Sequence, residues 1–590
     1  MALNDKKSAN QKEQRKTKPQ KTKAKTQIKK NQKPQKAKQK PLRIIPLGGL
    51  DEIGKNVTVY EYENDAFIVD CGMSFPDEET PGIDAVIPDF SYIVQIKDKI
   101  RGLVLTHGHE DHIGAITYLL NNIDVPIYGT KITLALVTAR LKERQMEKRT
   151  VLHEIEPGNT IKLGAFSIEF INVNHSIPGA VALAVTTPVG IVVQTGDFKI
   201  DTTPIDGKVI DLARFAEIGK KGVLALLCDS TNAERPGFTA TERIVGESFS
   251  NLFKGAEDHR IIVATFSSNI HRIQQIIDEA VKCKRKVAVS GRSMINVVNI
   301  AADLGYLKVP EGVLIDISEV KNYNHGEIVI ITTGSQGEPL SALHRMAFSD
   351  HRSIEIVPGD VIIISATPIP GNEKLVSKVI NELMKHGANV IYEKMYDVHV
   401  SGHACQEEIK IMLNIVKPKF YIPVHGEQKH LFKNAQLAKL MGIDKKNIMI
   451  CSIGNVIELT KKSMKCTETV PAGRVLVDGL GVGDVGSIVL RDRKHLAEDG
   501  IIVIAVAMEK ESGMVVSGPD VISRGFIYVK ESEELVEQAS SVAADTLENC
   551  YITGVKDWNT IKVRLRDNVS KFVYGKTRRS PMILPIIMDV

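Results

Sequence analysis

A short apolar segment followed by a run of metal-binding side chains constrains the fold of this chain more than any other feature. Residues 102–105 (GLVL) are typical of a buried β-strand, and the motif HGHEDH follows with His107, His109, Asp111 and His112. A strand that ends in a turn directs alternate side chains toward one point, and a helix starting after the motif would bring in its last two ligands. Imidazole and carboxylate are the ligands of hydrolytic zinc and manganese sites. A metal site is therefore preferred over a solvated polar loop.

Four ligands are too few for two metal ions, so more are expected from distant segments. His175 follows the predicted strand 166–173, Asp197 follows the predicted strand 190–195, and His425 precedes a glycine after another apolar run. Taken alone, each could be a loop histidine or a turn aspartate. Their order along the chain, together with the HGHEDH motif, makes them candidate ligands.

Two kinds of segment alternate along the chain. Short β-rich segments that end at polar or glycine clusters precede residue 242 and return after residue 396. Between them, apolar runs alternate with amphipathic helices, which predicts a parallel α/β layer in a separate domain. The predicted division is a disordered basic tail (1–41), a metal-binding domain in two parts (42–241 and 397–457) with an inserted α/β domain (242–396), a linker (458–474) and a C-terminal α/β domain (475–590).

The tail differs in charge from the rest of the chain. Residues 1–41 contain 15 Lys/Arg and two acids, a charge of +13, while the whole chain carries +5 and residues 42–590 therefore −8. Such a Lys-rich, apolar-poor segment predicts disorder and salt-sensitive attraction to a polyanion, nucleic acid first. The alternatives are a solubilising tail and, with less support, a mitochondrial transit peptide. The acidic remainder predicts that a polyanion is held in a local basic groove.

Membrane and secretory classes are not favoured. No apolar run approaches the ~18–20 residues that span a bilayer, and the N-terminus has no apolar signal core. The seven cysteines are scattered without a CxxC pair, which is typical of a reducing compartment. We therefore expect a cytoplasmic protein without a membrane partner.

The order HxHxDH, His, Asp and a distant His resembles the metallo-β-lactamase superfamily. A long stretch separates Asp197 from His425, and an extra α/β domain at that place is similar to the β-CASP nucleases of the superfamily. Longer motifs resemble the bacterial ribonuclease J family from about residue 42 to 590: LGGLDEIGKN (47–56), GSQGEP (334–339), HVSGH (399–403) and RRSPMILP (578–585). The resemblance implies an α/β fold, in which a metallo-β-lactamase αββα sandwich carries an inserted β-CASP α/β domain and a small C-terminal α/β domain.

The resemblance also implies a role for each candidate ligand. One metal ion would be held by His107, His109 and His175, and the other by Asp111, His112 and His425. Asp197 would bridge both ions and count among the catalytic residues. Asp70 resembles an aspartate that orients a ligand histidine from outside the metal site. The expected cofactors are two divalent cations, zinc first and manganese as the alternative, which would activate water for attack on phosphorus.

The implied activity is hydrolysis of RNA phosphodiester bonds, both internally and from a 5′-monophosphorylated end, in mRNA decay and rRNA maturation. His403 would protonate the leaving 3′-oxygen, although alone it could be a structural histidine at a turn. The terminal phosphate would be bound by the HVSGH segment: His399, Val400, Ser401, Gly402 and His403. Ser335, Gln336 and Gly337 are candidate helpers, because a glycine-rich turn exposes backbone N–H groups to anions.

A different metal site and the partners are implied as well. The carbonyl of Gly82 with the carboxylates of Asp84 and Asp478 would bind a structural calcium ion, because oxygen ligands suit calcium better than zinc. The alternative is a simple turn. RNA is the expected partner, and the C-terminal domain would form a homo-oligomer (dimer or tetramer) or associate with a paralogue or an RNA-decay complex. The glycine run 481–486 has the wrong spacing for a dinucleotide loop and is interpreted as structural.

Three other interpretations remain open. A small-molecule metallo-hydrolase acting on a thioester or lactone is opposed by the long insert and the basic tail. A scaffold subunit with vestigial catalysis is opposed by the intact ligand set, although the presence of ligands does not measure turnover. A DNA-processing β-CASP enzyme differs only in substrate, and a preference for the 2′-hydroxyl cannot be read from a sequence.

Overall fold

A computed structural model describes residues 40–77, 79–369, 371–526 and 533–590. The predicted disordered tail (1–41) falls almost entirely outside these residues. The described chain contains five β-sheets with helices between and around them. The α/β class predicted from the sequence is confirmed.

Two mixed sheets face each other across one hydrophobic core. The strand order of the first sheet is Met464–Thr469, Asn455–Leu459, Leu42–Pro46, Thr58–Tyr62, Asp65–Val69, Ile100–Val104, Ile127–Gly129 and Leu152–Glu154. The strand order of the second sheet is Phe420–Val424, Val223–Asp229, Ile191–Gln194, Val181–Thr186, Phe166–Asn172 and Thr160–Leu163. Phe67 of the first sheet meets Phe166 of the second with ring centroids 4.9 Å apart. Apolar side chains from both inner faces therefore hold the sheets together.

Helices cover the outer face of each sheet. The first sheet packs against helices Ser91–Gln95, Ile116–Leu120 and Lys131–Glu143, and the second against Leu212–Lys221, Gln406–Val416 and Gln428–Leu440. In the helix Leu212–Lys221, Phe215 and Ile218 are buried, three residues apart on one face. The layers follow the order helix, sheet, sheet, helix.

Three adjacent strands of the second sheet end at the same edge. Ile191–Gln194, Val223–Asp229 and Phe420–Val424 run parallel to one another. Because the carboxyl ends of parallel strands meet at one edge, the residues that end or follow them are brought close together. Asp197 and His425 follow the first and third of these strands, and Asp229 ends the middle one.

A third sheet forms a separate layer with its own two cores. Its strand order is Leu314–Ile315, Lys286–Ser290, Ile328–Thr332, Ile261–Ala264, Val361–Ile364 and Asn389–Ile391, all parallel. Helices Arg243–Lys254, Ile270–Lys282 and Arg292–Asp303 cover one face, and Ala342–Ala347 and Glu373–Lys385 cover the other. Burial on both faces explains the continuous apolar strands, such as Ile328–Thr332.

The C-terminal region contains two small sheets. Strands Val515–Arg524, Ile501–Met508 and Met582–Asp589 pack one face on the helices Glu533–Ile552 and Trp558–Thr577, and helix Ser487–Asp499 precedes them. Strands Gly481–Val482, Arg474–Asp478 and Ala85–Pro88 form the other sheet. No helix in the described ranges is both long and apolar enough to cross a membrane.

The segment predicted as a linker (458–474) contains structure. Its strand Met464–Thr469 pairs with Asn455–Leu459 and forms the edge of the first sheet. Only Met464 of this strand is buried, so the sequence lacks the alternation of apolar residues that identifies a strand.

Candidate metal centre and cleavage site

The HGHEDH loop connects strand Ile100–Val104 to the short helix Glu110–Ile113. His109 immediately precedes the helix with an extended backbone. A Cβ atom on Gly72 would lie 1.6 Å from the carbonyl oxygen of Asp111, so a larger residue at that position would displace the loop. Close backbone contact therefore fixes the conformation of the loop.

Seven predicted ligands converge at the edge where the parallel strands end. We call them the histidine cluster: His107, His109, Asp111, His112, His175, Asp197 and His425. In its first half, the Nε2 atoms of His107 and His175 each lie 3.1 Å from Nδ1 of His109. Oδ2 of Asp197 lies 3.7 Å from both Nε2 atoms. Four donor atoms from three distant segments thus surround one point.

The second half of the histidine cluster shares one carboxylate with the first. Oδ2 of Asp197 lies 3.3 Å from Nε2 of His112 and 3.7 Å from Nε2 of His425. Oδ2 of Asp111 lies 3.2 Å from the same His425 nitrogen. The Asp197 oxygen therefore belongs to both halves of the cluster.

Asp70 and Thr106 orient two of the imidazole rings from behind. Asp70 Oδ2 lies 2.8 Å from Nδ1 of His112, and the Thr106 N–H and hydroxyl each donate to Asp70 at 2.8 Å. The Thr106 oxygen lies 3.0 Å from Nδ1 of His107. Nδ1 of each ring thus meets an oxygen, which directs Nε2 of each ring toward the centre of the cluster. Thr106 was not among the residues singled out from the sequence.

The rings of His175 and His425 are held in the same way. His175 donates from Nδ1 to the carbonyl oxygen of Gly402 at 2.7 Å. Nδ1 of His425 lies 2.5 Å from the hydroxyl of Thr231. A Cβ atom on Gly402 would lie 2.6 Å from the His175 ring, which explains a glycine at this position.

Burial sets the protonation of the first half of the cluster. Burial, with the neighbouring histidines, holds the pKa of His107 and of His175 well below the ordinary value, and it lowers the pKa of His109 to about 4. Neutral imidazoles present lone pairs, and three such nitrogens facing one point repel one another unless a cation lies between them. This donor set therefore fits a divalent metal ion.

In the second half, opposite charges compensate one another. Burial alone would lower the pKa of His112 and His425, but the charge of Asp197 raises both well above the ordinary value. Burial would also raise the pKa of Asp197, which His425 and His112 instead hold well below its usual range. Cationic charge is thus favoured between these carboxylates, and a metal ion would supply it in place of the protons.

His403 lies beside the cluster and is paired with a buried aspartate. Its Nδ1 is 2.8 Å from Oδ2 of Asp229 and 3.9 Å from Oδ2 of Asp197. Burial opposes a positive charge on the ring, but the charge and hydrogen bond of Asp229 raise the pKa of His403. Its side chain is 19% exposed, so it can be reached from solvent.

Besides Thr106, sequence reasoning missed the roles of Asp229 and Asn56 at this site. Asp229 ends a fully buried strand, and an acid at the end of an apolar run was the available signal. The Nδ2 group of Asn56 donates to the carbonyl oxygen of Asp111 at 3.1 Å and lies 3.1 Å from Nε2 of His112. Asn56 closes the motif LGGLDEIGKN, which was noted only as a family resemblance.

The HVSGH segment lies beside the cluster, and each of its side chains contacts a different part of the protein. Val400 is buried in the core of the parallel sheet, so its backbone alone remains for a ligand. Ser401 accepts a hydrogen bond from Asn232 Nδ2 at 2.8 Å. His399 is held by Arg272, the guanidinium of which is fully buried and donates to Nδ1 of His399 at 2.9 Å. A guanidinium only donates, so Nδ1 accepts and the ring proton lies on Nε2.

The GSQG turn is packed into the inserted domain. Ser335 and Gln336 are buried, and the Gln336 amide donates to the carbonyl oxygen of Thr367 at 3.0 Å while accepting from the Ile369 N–H at 2.7 Å. Gly337 has a φ of 71°, and a Cβ atom there would lie 2.6 Å from the backbone of Leu375. Both ends of the Gln336 amide are thus used to shape the loop.

Two of the three predicted calcium ligands, Gly82 and Asp478, bind the side chain of Arg493. Asp84 and Asp478, hereafter the Asp84–Asp478 pair, lie in adjoining segments, and Asp84 accepts from the Gly479 N–H at 2.7 Å. The Arg493 guanidinium donates to the carbonyl oxygen of Gly82 at 3.2 Å and forms an ion pair with Asp478. A cationic side chain therefore fills the space that the calcium ion would need.

The fold and the donor set define a class of protein. A four-layer αββα sandwich with an inserted parallel α/β domain and a His/Asp cluster at the strand ends is a metal-dependent hydrolase of the metallo-β-lactamase type. Family models match four segments: "Metallo-beta-lactamase superfamily" (50–215), "Ribonuclease J, beta-CASP domain" (258–383), "Zn-dependent metallo-hydrolase RNA specificity domain" (387–449) and "Ribonuclease J C-terminal domain" (488–590).

Curated relatives match over nearly their whole length. Ribonuclease J2 of Bacillus subtilis (strain 168) is 44% identical over 549 residues, which cover 93% of this chain and 99% of that protein. Ribonuclease J 1 of Streptococcus pyogenes serotype M3 is 42% identical, covering 92% and 97%. A solved structure from Enterococcus faecalis V583, titled a protein of unknown function, shares the fold with a TM-score of 0.52 and 16% identity, covering 71% of this chain and 100% of that one. The chain belongs to the ribonuclease J family, and it is a metal-dependent ribonuclease that hydrolyses phosphodiester bonds.

Proposed function

We propose that the histidine cluster is the catalytic centre and holds two divalent ions, with His107, His109 and His175 at one and Asp111, His112 and His425 at the other. Asp197 is the shared ligand in this proposal. The observation that carries it is the convergence of these donors, with one carboxylate oxygen common to both halves. Bound cations would lower the pKa of water and neutralise charge on the phosphate. The nitrogen-rich donor set favours zinc, and manganese is the alternative.

His403 is the proposed proton donor to the leaving 3′-oxygen. Asp229 supports this role, because it fixes the ring through Nδ1 at 2.8 Å and leaves Nε2 for the substrate. The charge and hydrogen bond of Asp229 raise the pKa of His403, which favours the protonated ring that a proton donor requires. Asp229 is thus a positioning residue that acts through His403.

The HVSGH segment is the proposed site of the 5′-terminal phosphate, as the family resemblance implies. Arg272 supports it, because it holds the proton of His399 on Nε2 and so makes this ring a hydrogen-bond donor. Burial and the charge of Arg272 hold the pKa of His399 well below its ordinary value, so the ring donates while neutral. Ser401 and the segment's backbone add polar groups, whereas Ser335 and Gln336 would act by shaping the neighbouring loop.

A combined metal and product analysis tests the proposed activity. RNA substrates identical except for a 5′-monophosphate or a 5′-hydroxyl are incubated with the full chain, and the products are mapped together with the bound metals. We expect mononucleotides released from the 5′-monophosphorylated end, internal cuts on both substrates, and two ions per chain. His153→Ala is a matched control, because His153 is exposed on an edge strand outside the cluster. Equal rates for the wild type and Asp197→Ala would favour the scaffold interpretation.

Self-association through the C-terminal domain is also proposed. The face of its sheet that the helices leave uncovered is apolar, with Ile522 48%, Leu584 44% and Met588 50% exposed. Val503 joins Ile522 to Leu584 in register, so these side chains form a continuous row. Such a patch is typical of an interface between subunits. Sedimentation of the full chain and of Leu584→Asp tests it, and an unchanged mass for this variant would contradict it.

The remaining predictions rest on the sequence alone. A cytoplasmic location and a role of the basic tail in RNA binding stay predictions. The structural calcium ion predicted at the Asp84–Asp478 pair is opposed by Arg493, which binds the carbonyl oxygen of Gly82 and the carboxylate of Asp478.

A further inference from the structure

The loop of residues 232–239 presents an aromatic ring and a cation beside the proposed proton donor. We call it the 232–239 loop; it follows the strand Val223–Asp229. Phe238 is 62% exposed, and Arg235 is also exposed. The ring of Phe238 is therefore available for contact with a ligand.

Hydrogen bonds fix this loop against the helix Gln406–Val416. The carbonyl oxygens of Arg235 and Gly237 accept from the N–H groups of Gln406 and Glu407 at 3.0 and 3.1 Å. The Thr239 N–H donates to the buried carboxylate of Glu408 at 2.7 Å. These hydrogen bonds fix the backbone on both sides of Phe238, and its side chain is exposed.

Residues at both ends of the loop form hydrogen bonds with the backbone of His403, the proposed proton donor. Asn232 Nδ2 donates to the carbonyl oxygen of His403 at 3.0 Å, and the Thr239 hydroxyl donates to the same oxygen at 2.6 Å. Phe238 is the neighbour of Thr239, and consecutive Cα atoms lie ~3.8 Å apart. Phe238 is therefore the sequence neighbour of a residue that contacts the His403 backbone directly.

Arg235 supplies a cation without a partner. Its guanidinium makes no hydrogen bond or ion pair with any residue in the described part of the chain. The carbonyl oxygen of Arg235 accepts from the N–H of Gln406, three residues after His403, so the backbone of Arg235 lies near the proposed phosphate segment. An unpaired arginine beside a phosphodiesterase site is suited to an RNA phosphate.

We propose that the 232–239 loop binds single-stranded RNA next to the scissile bond, with a base stacked on Phe238 and a backbone phosphate paired with Arg235. The inference rests on the proposed function only in that His403 marks the point of cleavage. Every base has a π-face, so this contact does not depend on sequence. It requires an unstacked base, and it therefore selects single-stranded RNA over duplex RNA.

Kinetics and binding on the metal-loaded full chain test the proposal. For 5′-monophosphorylated single-stranded RNA, we expect Phe238→Ala to raise KM about tenfold while kcat changes less than about twofold, and Phe238→Tyr to restore KM because it keeps the ring. Phe432→Ala is the matched control, since Phe432 is 55% exposed on the helix Gln428–Leu440 and is not part of the 232–239 loop. Equal KM values for Phe238→Ala and Phe432→Ala would overturn the stacking contact.

Equilibrium binding separates this inference from the proposed function. The probe is phosphorothioate-linked single-stranded RNA, followed by fluorescence anisotropy across a series of salt concentrations. We expect Arg235→Gln to lower the slope of log affinity against log salt by about one, and Phe238→Ala to weaken binding without changing the slope. Slopes identical to the wild type for Arg235→Gln would overturn the phosphate contact. This readout holds even if the proposed roles of His403 and the metal ligands fail.

Discussion

The histidine cluster and the Asp84–Asp478 pair were both predicted as metal sites, and they differ in what faces their donor atoms. In the first half of the histidine cluster, Nε2 of His107 and of His175 faces Nδ1 of His109 and Oδ2 of Asp197, and in the described residues no lysine or arginine pairs with these donors. At the Asp84–Asp478 pair, the Arg493 guanidinium already satisfies the oxygens. The type of donor atom alone is therefore not enough to predict a metal site. The donor atoms must also face one another, with no arginine or lysine bound between them.

The largest effect is expected from Asp197→Ala. This change removes the oxygen shared by both halves of the cluster, so both ions should be held poorly and RNA cleavage should fall at least about 10³-fold. Metal content and initial rates measure the result, with His153→Ala as the control. Two tightly held ions in the Asp197→Ala variant would show that this carboxylate does not bridge.

His403→Ala comes next, with an expected loss in kcat of about 10²–10⁴-fold at unchanged metal content. Asp229→Asn should reproduce most of this loss, because it leaves the ring without its anionic partner. In the double variant the losses should not multiply, since both residues act through one proton. Fully multiplicative losses would mean that Asp229 acts independently of His403.

Asp70→Asn tests how far the histidine cluster depends on groups behind the ligands. Asp70 fixes His112 directly and accepts two hydrogen bonds from Thr106, so metal affinity should fall about 10–100-fold. Competition with a chelator measures this affinity. Unchanged affinity would mean that the ring keeps its orientation without the aspartate.

Local patterns in the sequence were enough for the fold class and for the convergence at the HGHEDH loop. Apolar runs bounded by polar turns indicate strands, and amphipathic runs indicate helices such as Ile270–Lys282, the first turn of which is capped by the side chain of Asn269. The order of His175, Asp197 and His425 along the chain, together with the HGHEDH motif, made them candidate ligands, and the family resemblance gave each of them a role. The parallel strands explain their convergence, because they end at one edge.

Contacts between distant segments account for what the sequence did not reveal. Asp229 became recognisable only through His403, which lies 174 residues further along the chain. Arg493 could not be predicted at the calcium position, since it approaches Gly82 from 411 residues away. The exposed strand Met464–Thr469 carries no apolar alternation, so it resembled a linker.

A smaller effect is expected from Arg272→Met, which removes the donor that fixes the His399 tautomer. The ratio of kcat/KM for 5′-monophosphate over 5′-hydroxyl RNA should fall about tenfold, as for the loss of one hydrogen bond to a charged group. Internal cleavage of circular RNA should change less, because it offers no terminal phosphate. An unchanged ratio in a folded variant would remove His399 from phosphate recognition.

The smallest effect is expected at the Asp84–Asp478 pair. Arg493→Met breaks a partly exposed ion pair, so the free energy of unfolding should change by less than about 1 kcal/mol and RNA cleavage should be unchanged. Added calcium should leave the Tm of the wild type unchanged. A calcium-dependent rise in the wild-type Tm that is lost in Asp84→Asn would show that the ion displaces Arg493 and that the two sites are alike.

Anomalous diffraction from crystals of the metal-loaded full chain tests the central claim most directly. Two peaks are expected, each about 2.0–2.2 Å from the nitrogens of its own half of the histidine cluster and with Asp197 between them, and none at the Asp84–Asp478 pair. A single peak, or strong density among Gly82, Asp84 and Asp478 with an empty histidine cluster, would contradict it.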